Sequence, residues 1–131
     1  MFLLDTNTLI YYFQGKGRVA ERLLATPPGE VAISSVSLYE VEVGIAKSPH
    51  PAKRRRQFDA FMAAVSVLSF DRQAARAAAT LRVDLERRGL PIGPLENLIA
   101  GVALAHRATL VTHNTREFSR LPDLPVIDWY D

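Results

Sequence analysis

Four polar side chains stand far apart in this sequence, yet each falls where a turn of chain could bring it to a common place. Asp5 ends the apolar run "FLLD". Glu40 lies in "SSVSLYEVEVGIAKS". Glu96 lies in "IGPLENLIAGVALA", and Asn114 comes just after "TLVT". Three carboxylates and an amide, with no Cys or His among them, make an all-oxygen donor set. Such a set suits a hard divalent cation, Mg²⁺ or Mn²⁺, rather than zinc. A cation held by acids can activate water and neutralise charge on a phosphate under attack. Electrostatics demands it as well. Two carboxylates about 4 Å apart repel by roughly 4 kcal/mol at an effective dielectric near 20. Three would consume much of a typical folding stability of about 5–15 kcal/mol. Protons or a cation must offset that.

Each residue also has a structural use taken singly. Asp5 can cap the helix that follows it. Ser37 and Glu40 have capping-box spacing. Glu96 suits the first turn of a helix opened by Pro94, where the helix dipole favours an acid. Asn114 can be a turn residue. The chemical reading rests on the four converging.

The elements that would position them follow from pattern. "FLLD", "EVAIS", "SVLSF", "ATLVT" and "LPVIDW" read as short strands. Between them lie helical stretches: "TNTLIYYFQ", "RVAERLLA", "SVSLYEVEVGIAKS", "AKRRRQFDAFMAAV", "RQAARAAATLRVDLERRG" and the one opened by Pro94. Val36, Tyr39 and Val43 are spaced as one helical face. Pro49 and Pro51 are expected to break the chain. Strands alternating with helices predict an α/β fold whose parallel sheet is covered on both faces. Ligands then bind outside the carboxyl ends of the strands, where strand order reverses. Asp5, Glu40, Glu96 and Asn114 all fall at strand ends or in the opening turns of helices. Alternation along the strand puts Thr112 and Asn114 on one side and His113 on the other. Ser37, Glu40, Gly44 and Lys47 form one seam of their helix.

Composition narrows the alternatives. A chain of 131 residues, 48% hydrophobic and 23% charged, is expected to form one domain over residues 1–131. With no cysteine, disulfides and thiolate chemistry are excluded. The longest apolar run, 98–105, is far short of the roughly 18 residues a membrane span needs. No signal-peptide pattern opens the sequence, so a cytoplasmic location is expected. A net charge of +2 and a pI near 9.2 permit a polyanionic partner.

The motifs "LLDTNTLI", "AISSVSLYEVEVGIAKS" and "GLPIGPLENLIAGVALAHRATLVTHNTREFSRLPDLPVIDW" together resemble the PIN-domain family, and within it the VapC-type toxins of bacterial toxin–antitoxin pairs. The resemblance runs almost the length of the chain. It implies a three-layer α/β/α fold with a mainly parallel sheet and metal-dependent cleavage of RNA. It also implies a homodimer and a cognate antitoxin of VapB type. Residue by residue, it implies that Asp5, Glu40 and Glu96 are metal ligands for Mg²⁺ or Mn²⁺. Asn114 completes the catalytic set, and Thr6, Asn7 and Thr112 line the same site. Glu96 is a departure, because the family usually has Asp there. The added methylene could displace the carboxylate by about 1.5 Å, and positional errors near 1 Å can cost on the order of 100-fold in rate. A PIN-like module that binds RNA or antitoxin without cutting is therefore the alternative. A haloacid-dehalogenase-like phosphatase fits poorly: "DTNTL" has Asn7 and Leu9 where that motif needs Asp and Thr.

The one dense basic run, Lys53, Arg54, Arg55 and Arg56, reads either as a solvated helix face or as phosphate contact with RNA, which would weaken steeply with salt. His113 is the histidine near enough to the proposed site to touch substrate. Tyr11, Tyr12 and Phe13 suit core or dimer packing.

Overall fold

The computed structural model describes residues 1–131. The strands are β1 (Phe2–Leu4), β2 (Val31–Ser34), β3 (Ser66–Leu68), β4 (Thr109–Val111) and β5 (Val126–Ile127). The helices are α1 (Thr6–Gln14), α2 (Val19–Leu24), α3 (Ser35–Lys47), α4 (Pro51–Met62), α5 (Arg72–Arg87), α6 (Pro94–Ala105) and α7 (Thr115–Phe118). All strand pairs are parallel, in the order β3-β2-β1-β4-β5. The chain builds outward from β1 through β2 to β3, then returns to the other side of β1 for β4 and β5. Strand order therefore reverses between β1 and β4, and Asp5 stands one residue past the end of β1 at that point.

The pleat sorts the core into two layers. Leu3, Ala32 and Leu110 face α5 and α6 in one cluster with Ile99, Ala100, Val102 and Leu85. Leu4, Ile33 and Val111 face the other way, into a cluster with Leu9, Val19, Phe58, Phe61 and Trp129. Successive side chains point to opposite faces, so three-residue strands suffice to seed both layers. Burial of this kind contributes roughly 25 cal/mol per Å² of apolar surface removed from water. The central strands read as continuous apolar runs because both of their faces are covered.

One contact fixes α6 closely against α5. A Cβ on Gly101 would fall 2.6 Å from the Ala78 Cβ and 2.8 Å from the Ala74 carbonyl oxygen. The alanine stripe of α5 and this glycine let the two backbones approach, and Asn97 Nδ2 ties the pair by donating to the Ala78 carbonyl at 2.9 Å. The N-terminal turn of α6, with Glu96 in it, is thereby set at the carboxyl edge of the sheet.

Local details differ from the expectations of sequence. The break expected at Pro49 and Pro51 falls between α3, which ends at Lys47, and α4, but Pro51 itself is the first residue of α4, where a missing N–H costs nothing. The cap of α3 is Ser34, whose hydroxyl accepts from the Ser37 N–H at 3.0 Å. Ser37 thus lies inside the helix, and the Ser37–Glu40 capping box does not form. Tyr39 is 62% exposed while Val36 is buried, so the stripe they share with Val43 is only partly covered.

Candidate active site at the carboxyl edge of the sheet

Asp5 is both cap and buried acid. Its Oδ1 accepts from the Thr8 N–H at 2.8 Å, which starts α1, yet the residue is only 5% exposed. Burial pushes its carboxyl above the usual aspartate range, and the nearby charge of Glu96 pushes the same way. Hydrogen bonds from the Thr112 side chain and the Thr8 backbone pull it down only in part. Thr112 is placed for this by its position one residue past β4. Its N–H pairs with the Ile127 carbonyl and its Oγ1 accepts from the Asn114 N–H at 3.0 Å, leaving the hydroxyl proton free to face Asp5.

Glu40 reaches the site from α3 through a relay of hydroxyls. Ser34 Oγ lies 3.3 Å from Ser37 Oγ, which lies 2.9 Å from Thr6 Oγ1. Thr6 then donates to Glu40 Oε1 at 2.6 Å. A hydroxyl has one proton to give, so the shortest contact, to a carboxylate, takes that of Thr6. Ser37 and Thr6 are buried, and the relay holds Glu40 beside the residue that follows Asp5.

Glu96 is in the first turn of α6, as its helix-opening reading requires. Its carboxylate folds back over the capping Gly93: a Cβ there would lie 2.1 Å from Glu96 Oε2. The Gly93 N–H, however, is taken by a residue that sequence reasoning did not single out. Glu117 Oε1 accepts from it at 2.8 Å, and Glu117 Oε2 accepts from Asn114 Nδ2 at 2.9 Å. Glu117 was missed because it sits in the short helix α7, three residues past Asn114, and carries no motif of its own. The clue was in the spacing, since an acid at that offset from Asn114 faces the same side. Asn114 itself is exposed, and its amide orients Glu117. Asn7 is exposed on the first turn of α1.

None of Asp5, Glu40, Glu96 or Glu117 forms an ion pair with Lys, Arg or His. Nor do the ligand oxygens of three of them lie within 4.8 Å of one another. This all-oxygen, uncompensated set fits a divalent ion that keeps part of its water shell, as Mg²⁺ characteristically does.

The remaining candidates are placed differently. Arg55 makes a two-pronged ion pair with Glu42 of α3, at 2.7 Å and 2.5 Å, and Arg54 bonds Gln57 at 3.1 Å. Lys53 and Arg56 are exposed. His113 turns away from Asp5, as strand alternation requires. Its Nδ1 lies 2.9 Å from Asp128 Oδ2, and its ring stacks on Tyr130. Tyr12 and Phe13 pack with Phe61 in the core, whereas Tyr11 meets His113 and Tyr130.

A parallel sheet with a buried acid at its switch point and further acids and hydroxyls around it defines an α/β protein with a polar ligand site at the carboxyl edge of its sheet. Comparison with known proteins gives the family. The PIN domain signature matches residues 2–124. The chain is 36% identical over 128 residues to a tRNA(fMet)-specific endonuclease VapC of Shigella flexneri, covering 98% of this chain and 97% of the relative. It is 32% identical to ribonuclease VapC2 of Rickettsia felis, covering 98% of each. In structure it is similar to VapBC2 of Rickettsia felis bound to promoter DNA, with a TM-score of 0.91 over 98% of each chain at 32% identity. DNA-bound VapBC from Salmonella typhimurium gives a TM-score of 0.91 at 36% identity, covering 98% of this chain and 97% of the other. The chain therefore belongs to the PIN-domain family and, within it, to the VapC group.

Proposed function

We propose that the protein is a metal-dependent endoribonuclease toxin, neutralised by an antitoxin of VapB type. The observation that carries this is the buried Asp5 carboxyl at the strand-order reversal, raised by burial and by Glu96, with no cationic side chain to offset it. Asp5, Glu40 and Glu96 would hold Mg²⁺ or Mn²⁺, with Glu117 beside them. When bound, the ion supplies Lewis-acid activation of water and neutralises charge on an RNA phosphodiester. The chain's own groups do the positioning. Thr112 and the Thr8 N–H fix Asp5, and Thr6 fixes Glu40. Asn114 and the Gly93 N–H fix Glu117. No protein nucleophile is needed.

The relatives' names support RNA as substrate, and the VapBC complexes support the antitoxin. A homodimer belongs to the same reading, and Tyr39, 62% exposed on α3, offers apolar surface for it. A cytoplasmic location belongs to the same reading. No helix is long and apolar enough to cross a membrane. Lys53 and Arg56 remain free to meet phosphate.

The test is to incubate purified, antitoxin-free protein with total RNA and Mn²⁺, beside Asp5→Ala and Glu96→Gln. Cleavage is expected from the parent, with a loss of at least about 100-fold in each variant, as misplacement of catalytic groups produces. The second reading, binding without cleavage, is favoured by the longer Glu96 folded over Gly93. RNA retained but uncut by the parent protein would establish it instead.

A further inference from the structure

Outside the acid edge, one group of side chains has ligand atoms that all lie within 4.8 Å of one another: His113, Asp128 and Asp131. We propose that these three form a second divalent-cation site, distinct from the Asp5 pocket and suited to a borderline ion such as Zn²⁺. The topology brings them together. Asp128 follows β5 and His113 follows β4 by two residues, and these strands are paired through Val111 and Ile127. Alternation past β4 sends Thr112 toward Asp5 and His113 to the opposite side, so the two sites flank the exit of one strand.

The geometry fits ligation. His113 Nδ1 and Asp128 Oδ2 are 2.9 Å apart. Two ligands side by side on a tetrahedral ion with bonds of about 2.0–2.2 Å stand about 3.3–3.6 Å from each other, so the pair has to open by less than about 1 Å. Both groups are already oriented. The Tyr130 ring stacks on the imidazole at 4.1 Å and 20°, and Tyr11 meets its edge at 6.0 Å. Asp128 Oδ1 accepts from the Tyr130 N–H at 2.8 Å, which leaves Oδ2 for His113. Partners that fix the orientation of ligand side chains are a regular part of metal sites.

Charge points the same way. A single imidazole faces two carboxylates. The adjacent Arg22 guanidinium reaches only the Asp131 backbone oxygen, at 3.5 Å, and forms an ion pair with neither carboxylate. A simple His113–Asp128 hydrogen bond would account for those two residues but not for the approach of the Asp131 carboxylate. A nitrogen with two oxygens favours Zn²⁺ over Mg²⁺, whereas the all-oxygen set around Asp5 favours the reverse. Occupancy would pin the segment after β5 to the end of β4.

The experiment titrates Zn²⁺ alone into the full chain by calorimetry, and follows the His113 ring resonances by NMR in parallel. Parent, Asp131→Asn and Asp5→Asn proteins are compared. Asp131 is exposed, so its substitution leaves the fold intact. Expected is saturable binding that shifts His113, persists in Asp5→Asn and in excess Mg²⁺, and weakens by about 10-fold or more in Asp131→Asn. Binding that is absent, leaves His113 unmoved, is unchanged in Asp131→Asn, or disappears in Asp5→Asn overturns the proposal.

Discussion

Two charged regions of this molecule are built on opposite plans. At the carboxyl edge of the sheet, Asp5, Glu40 and Glu117 are held by hydroxyls, amides and backbone N–H groups, Glu96 folds over Gly93, and none of the four has a cation. On α4 the basic run looks more conspicuous in the sequence, yet its Arg55 is neutralised by Glu42 of the neighbouring helix, with Asp59 at 3.9 Å. The difference teaches that charge density along a chain says little about where a fold leaves charge uncompensated. A structural ion pair answers its own charge. The acid edge has polar neighbours that orient the carboxylates but cannot neutralise them, and that is what gives it a use for a cation.

Three substitutions would break or sharpen this contrast. The largest effect is expected from Gly93→Ala. The new Cβ collides with the end of the Glu96 side chain, which can swing aside at little cost in stability. RNA cleavage should nevertheless fall by roughly 10- to 100-fold, since displacement of a catalytic group by about 1 Å has such effects. Unchanged cleavage rates would show that the Glu96 position is not critical.

Next comes Asp5→Asn, read as thermal stability without metal. The amide keeps an acceptor for the Thr8 N–H but carries no charge into the buried site. Near neutral pH the variant should be more stable than the parent by about 0.5–2 kcal/mol, the usual gain when a strained functional group is relieved. The sign follows from proton linkage. Because the folded protein holds its Asp5 proton more tightly than the unfolded chain, the parent is favoured at low pH and loses stability as pH rises through the elevated folded value. The advantage of the amide variant should thus fade below the ordinary aspartate range and grow above it. Mn²⁺ should raise the Tm of the parent and not of the variant. A flat pH difference would remove the electrostatic basis of the site.

The smallest effect should come from Arg55→Met. Its pairing with Glu42 is about half-exposed, with 42% of each side chain accessible, and solvent-exposed pairs contribute little. A Tm change of about 2 °C or less, with cleavage unaltered, is expected. A large loss of cleavage with the fold intact would mean that Arg55 leaves Glu42 to meet RNA, and the contrast drawn above would fail.

Most of the fold was legible because its signals are local. The short apolar strands, Gly15 and Gly89 in left-handed conformation at helix ends, and the Pro94 opening all follow from residue type. Asp5, Glu40 and Glu96 were legible as candidates because each sits at a strand end or in the opening turns of a helix. Glu117 was not, since nothing in "TREF" announces that its carboxylate will cross to the Gly93 N–H, 24 residues earlier in the chain. The fate of Arg55 was equally hidden, because its partner lies on another helix. Tyr39 marks the reverse error: helical spacing identified its face, but not that this side of α3 would stay open.

The sequence by itself determined the alternation of strand and helix, the absence of cysteine chemistry and the supply of acids for an all-oxygen site. These depend on residue type and on periods of two and 3.6, which the backbone imposes wherever the chain goes. Tertiary structure alone decided which charges are answered and which are not. Burial, partner distance and shared carbonyls or N–H groups arise only when β1 and β4 lie side by side and α6 packs against α5. Desolvation and Coulomb forces act through space, and the sequence does not list its neighbours in space.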